Sequence, residues 1–82
     1  MKEFVINISY SWGDYEEPIE IKRETKEDAF NYMLSIAHEE TEETISGWPE
    51  YDVFLYVKPY MNMITLCYGY DNTECYYELK EI

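Results

Sequence analysis

Positive charge is what this chain most lacks: six Lys and Arg stand against eighteen Asp and Glu, a formal net charge of −12 over 82 residues. Nucleic acid phosphates and anionic lipid are bound through clustered Lys and Arg, which this composition does not supply, so direct binding to either is not expected. Histidine occurs once, at His38, and cysteine twice, at Cys67 and Cys75. A zinc site takes Cys and His ligands in recognisable spacing, and three scattered candidates do not form one. No metal and no cofactor is expected. No apolar run reaches the ~18 residues of a membrane span, and the opening Met1-Lys2-Glu3-Phe4 lacks the apolar stretch of a signal peptide. The expectation is a cytoplasmic protein without membrane attachment.

What the chain does have is aromatic and apolar mass beneath the charge. It is 46% hydrophobic and 18% aromatic, with ten Tyr and two Trp. A disordered acidic tail carries far less, so the carboxylates are expected to decorate a folded body. The length suits one domain, 1–82, near the lower limit for a core without disulfide or metal staples.

From Phe4 to Trp12 the residues alternate: Phe4, Ile6, Ile8, Tyr10 and Trp12 fall on one face, Asn7, Ser9 and Ser11 on the other, with Val5 the one interruption. That period of two predicts a strand. Gly13-Asp14-Tyr15-Glu16-Glu17-Pro18 is a turn-rich acidic connection into a second alternating run, Ile19 and Ile21 against Glu20 and Lys22, and the two strands are expected to form a hairpin. Thr25 followed by Asp28 resembles a capping box with the shorter acid, and Glu27 and Asp28 suit the positive end of a helix. The predicted helix buries Ala29, Phe30, Met33, Leu34 and Ala37, with Ile36 at the edge of the stripe. It is expected to end near Glu43 to Thr44, before Ser46-Gly47-Trp48-Pro49 breaks any helix.

Val53, Leu55 and Val57 then alternate with Phe54 and Tyr56, and Pro59-Tyr60-Met61-Asn62 offers a turn into Ile64, Leu66, Tyr68 and Tyr70. Setting Lys58 opposite Met63 brings Val57 to Ile64, Leu55 to Leu66 and Val53 to Tyr68, so the apolar sets coincide. Asp71-Asn72-Thr73-Glu74 reads as a second turn, and pairing Tyr70 with Cys75 sets Tyr68 opposite Tyr77 and Leu66 opposite Leu79. The order ββαβββ predicts a two-layer α+β domain, an antiparallel sheet of about five strands with one helix packed on one face. The other face would present Phe54, Tyr56, Cys67 and Tyr76. Cys67 and Cys75 fall on opposite faces and are expected to stay free thiols.

The acids are unevenly placed. Glu39, Glu40, Glu42 and Glu43 sit near the C-terminal end of the predicted helix, where the dipole disfavours a carboxylate by about 0.3–1 kcal/mol. The like pair Glu39/Glu43 adds about 0.2–0.5 kcal/mol. A merely solvated face more often carries lysine there. Glu50 and Asp52 follow in company with Trp48 and Tyr51, while Asp14, Glu16 and Glu17 surround Tyr15 in the first hairpin. These twelve residues form the candidate partner-binding surface. Carboxylates on adjacent helical turns or alternate strand positions lie about 5–7 Å apart, close to the phosphate spacing along one nucleic acid strand. Tyrosines between them add contact area and stack on arginine guanidiniums.

In length, charge, tyrosine content and single small domain, the chain resembles the small acidic anti-defence proteins of phages and mobile elements, the anti-CRISPR and anti-restriction inhibitors, several of which are DNA mimics. The resemblance is one of class, with no motif mapped residue by residue. It implies a non-enzymatic inhibitor that occupies the basic nucleic-acid-binding surface of a nuclease or nuclease complex in the host cytoplasm. The alternative is a protein–protein adaptor or antitoxin-like module using the aromatic sheet face, which also offers a surface for a homodimer. A small enzyme would need His38 or a thiol as its chemical group, and the predicted faces keep His38 and Cys67 apart.

Overall fold

A computed structural model describes residues 1–47, 52–69 and 72–82. The elements follow the predicted order: β1 (Lys2–Tyr10), β2 (Ile19–Arg23), α1 (Lys26–Gly47), β3 (Val53–Lys58), a 3-10 turn (Pro59–Met61), β4 (Met63–Tyr68) and β5 (Thr73–Glu81). The five strands make one sheet in the order β2-β1-β5-β4-β3, antiparallel throughout, and the helix packs against it. The α+β class is as expected. The chain's first and last strands lie side by side in the middle of the sheet, a pairing that the alternation alone had left open.

Period-two patterning explains the layers. Phe4, Ile6 and Ile8 of β1, Ile64, Leu66 and Tyr68 of β4, and Cys75, Tyr77 and Leu79 of β5 are buried on one face, under Ala29, Phe30, Met33 and Ala37 of the helix. Leu34 and Ile36 border that stripe as partly buried flanks. Each large apolar side chain removed from water here contributes about 1.5–3 kcal/mol. The helix begins where expected, with the Asp28 amide donating to Thr25 Oγ1 at 3.1 Å. Free amides of the first turn need such acceptors.

Three sequence expectations are corrected. Trp12 lies beyond the end of β1, because Gly13, at φ 99°, turns the chain and donates its amide to the Tyr10 carbonyl. The helix does not fade at Glu43 to Thr44 but runs to Gly47. Carboxylate repulsion of a few tenths of a kcal/mol is too weak to end a packed helix, and Thr44 remains in it with its hydroxyl donating to the Glu40 carbonyl at 2.9 Å. The third correction concerns register. β3 and β4 pair as predicted, Lys58 with Met63 and Val53 with Tyr68. Between β4 and β5, however, Tyr68 faces Thr73, Leu66 faces Cys75 and Ile64 faces Tyr77, so Tyr68 is not opposite Tyr77, nor Leu66 opposite Leu79. Cys67 accordingly faces Glu74, on the face away from buried Cys75, and both thiols are free. Tyr70 and Asp71, on which the expected Tyr70–Cys75 pair and turn relied, lie outside the described residues.

Candidate functional site

The loop between β1 and β2 is bound in place. The Tyr10 amide donates to the Asp14 carbonyl at 2.8 Å and the Glu16 amide to the Ile8 carbonyl at 2.9 Å. The Ser11 amide donates to the Glu74 carbonyl, and the Glu74 amide returns a bond to Ser11 Oγ, both at 2.9 Å. Asp14 and Glu16 are thus presented from a backbone fixed against β1 and β5.

Side chains complete the arrangement. Tyr10 stacks on Trp12 with ring centroids 4.5 Å apart and donates its hydroxyl to Glu16 Oε1 at 2.8 Å. Trp12 Nε1 donates to Asp14 Oδ2 at 2.8 Å. Asp14 and Glu16 are therefore each held by an aromatic neighbour, while Tyr15 between them stands 80% exposed. The C-terminal half of the helix closes the other wall. Between them lies an open groove of about 1020 Å³, lined by Tyr10, Trp12, Asp14, Tyr15, Glu16, Glu40, Glu43, Thr44, Tyr68 and Thr73.

Two clusters far apart in sequence therefore meet. Glu40 shows the electrical consequence: its carboxyl is raised above the ordinary range by partial burial, then by the charges of Glu43, Glu16 and Glu39. The helix adds its own negative end, since its last turn contains no basic residue to offset the dipole. Among the described residues no group of three or more His, Cys, Asp or Glu is disposed to hold a metal ion. The carboxylates line a wide groove without converging on a point.

The basic residues are elsewhere. Lys2 pairs with Arg23, Lys22 lies beside Glu3, Lys80 beside Val5, and Lys26 opens the helix, all toward the start of β1. Lys58 lies level with Met63 and Glu78, and through Glu78 with Asn7, halfway along β1. The groove begins where β1 passes Ile8, so every Lys and Arg of the chain lies on the other side of that level. Part of the remaining acid is compensated there, by Lys22–Glu3 at 3.7 Å and Lys80–Glu78 at 3.4 Å. No salt bridge of this kind reaches the groove carboxylates among the described residues.

Of the candidate residues, Asp14, Tyr15, Glu16, Glu40 and Glu43 are brought together. Glu17, Glu39, Glu42 and Asp52 are exposed but do not line the groove. Trp48, Glu50 and Tyr51 lie outside the described residues. Tyr10, Trp12, Thr44, Tyr68 and Thr73 line it without having been candidates. Trp12 carried a usable signal, an aromatic donor two residues before Asp14 across a glycine turn. Tyr68 and Thr73 carried none, because only the sheet register takes them there. Comparison with protein-family models, curated protein sequences and solved structures finds no match. Among the described residues no helix is long and apolar enough to cross a membrane.

Proposed function

We propose that this protein is a non-enzymatic inhibitor whose acidic groove docks onto the basic nucleic-acid-binding surface of a partner, such as a CRISPR or restriction nuclease, in the cytoplasm of a host cell. The observation that carries the reading is the segregation of charge: Asp14, Glu16, Glu40 and Glu43 share one aromatic-walled groove, none of the six Lys and Arg lines it, and five of them lie toward the other end with Lys58 midway. An arginine or lysine entering the groove meets carboxylates in place of phosphates and rings on which a guanidinium stacks. Long-range attraction then steers a cationic surface toward this end of the molecule.

The test compares the wild type with Glu40→Lys/Glu43→Lys, both immobilised and exposed to a purified DNA-binding nuclease or, as a minimal probe, an arginine-rich peptide. Binding to the wild type should weaken steeply between low and moderate salt and be displaced by duplex DNA. The double reversal should lose it, while Glu3→Lys, remote from the groove, should not. Equal binding by all three proteins, or binding indifferent to salt, removes the mimicry reading.

A second reading has its own observation. Phe54 and Tyr56 are 49% and 52% exposed on the sheet face away from the helix, the face an adaptor or antitoxin-like module would use.

A further inference from the structure

The two edges of the sheet differ in a way that the groove does not explain. β2 is guarded as edge strands usually are: it follows Pro18, charged residues alternate along it, and Arg23 Nη1 donates to the Lys22 carbonyl at 2.8 Å. Such devices stop a foreign strand from pairing with exposed backbone. β3 is guarded less: Pro59 follows it as Pro18 precedes β2, but no charged residue interrupts Val53 to Val57. Its sequence, Val53-Phe54-Leu55-Tyr56-Val57-Lys58, holds a single charge at its end, and no described strand pairs with its outer side. From Val53 to Gly69 the sequence contains no Asp or Glu. In so acidic a chain, this hairpin is where a second copy meets the least repulsion.

We propose that β3 is the interface of a homodimer, formed by antiparallel pairing of β3 with β3 of a second copy about a two-fold axis through Leu55. Residues opposite each other in an antiparallel pair share a face. The Leu55-centred register sets Phe54 against Tyr56 on the open face and Val53 against Val57 on the helix face, twice each by symmetry. Aromatic and β-branched pairs of this kind stabilise neighbouring strands. They cover Phe54, Tyr56 and Val57, the last of which is 41% exposed.

Backbone and charge agree with that register. Gly69 donates to the Asp52 carbonyl at 2.8 Å, so Asp52 faces β4, and by the alternation of the ladder Val53, Leu55 and Val57 turn their N–H and C=O groups outward. Leu55 then pairs with Leu55 and Val53 with Val57, making roughly six backbone hydrogen bonds. One step further, Asp52 of each copy stands opposite Lys58 of the other. Neither makes a salt bridge with another described residue. The register that matches the apolar pairs thus also matches opposite charges, whereas centring on Tyr56 would set Asp52 against Tyr60.

Sedimentation velocity over a concentration series up to the millimolar range tests the proposal on the full chain. The wild type should show a reversible monomer–dimer equilibrium. Asp52→Lys sets Lys opposite Lys, Lys58→Asp sets Asp opposite Asp, and each should weaken dimerisation roughly tenfold or more. The double swap Asp52→Lys/Lys58→Asp should restore it, and because it carries both changes, its recovery excludes misfolding as the cause of the single losses. Amide exchange at Val53, Leu55 and Val57 should slow as the dimer fills. A wild type that stays monomeric at every concentration, as it would if β3 awaited the strand of a different protein, overturns the proposal. So does a dimer that the single reversals leave intact or that the swap fails to restore.

Discussion

The Tyr10 hydroxyl donates to Glu16 Oε1 at 2.8 Å, and through this bond the sheet's helix-covered face is tied to the rim of the acidic groove. Burial, and then the Glu16 carboxylate, hold the Tyr10 phenol well above its ordinary range, so it keeps its proton and donates at neutral pH. Tyr10→Phe keeps the ring on Trp12 and removes only the tie. The expected loss is about 1 kcal/mol in chemical denaturation, with faster amide exchange in the 11–18 loop. Unchanged exchange there would show that backbone bonds alone hold the loop.

Gly69 is required by a close approach. Its amide donates to the Asp52 carbonyl at 2.8 Å, and a Cβ at this position would stand 2.8 Å from the same oxygen. The oxygen belongs to backbone and the backbone fixes where a Cβ would stand, so neither can swing aside. Gly69→Ala should therefore lower stability by about 1–3 kcal/mol, read from the denaturation midpoint. A neutral outcome would mean that β3 shifts freely at its start.

The β3–β4 register was legible in the sequence because a proline-led turn fixes its length: Asn62, at φ 56°, closes the turn with its amide on the Pro59 carbonyl. The β4–β5 register was not. Alternation continues through Tyr70, and sliding one strand by an even number of residues leaves every side chain on its own face, so patterning selects the face and not the partner. In the structure β4 ends at Tyr68, which pairs with Thr73, two residues before the expected turn, and no local pattern reveals that choice. The groove shows the same division. Its carboxylates were legible as clusters, since charge is local, but their meeting depends on a helix that runs past Glu43 and on a loop pinned by Ser11 and Glu74.

The thiols should react unequally. Cys75 is buried beneath the helix, and burial first of all pushes its pKa up to about 11. Cys67, on the open face, is raised as well, by burial and then by Glu74, but it is only partly covered. Iodoacetamide near pH 8 should label Cys67 slowly, because little thiolate is present, and leave Cys75 unmodified until denaturant is added. Mass spectrometry after timed quenching separates the two. Labelling of Cys75 at the rate of Cys67 would mean that β5 opens locally.

Glu40 sets the stability of the fold against the charge of the groove. Its carboxyl titrates higher in the folded state, through burial and then the charges of Glu43, Glu16 and Glu39. Between the unfolded and folded pKa values the folded state binds more protons, so stability falls as pH rises through that window, and the loss is complete above the folded value. At neutral pH the Glu40 carboxylate therefore costs stability, and removing it should help. Glu40→Gln is expected to raise stability at pH 7 by about 0.5 kcal/mol, from relief of its like-charge neighbours and of the helix dipole. The gain should vanish once the pH falls below the unfolded carboxylate range. Urea midpoints across a pH series measure both parts, and the same variant should bind a cationic partner less tightly. A lower midpoint for Glu40→Gln at pH 7 would show that the carboxylate is satisfied within the fold, with no charge held in reserve for an outside cation.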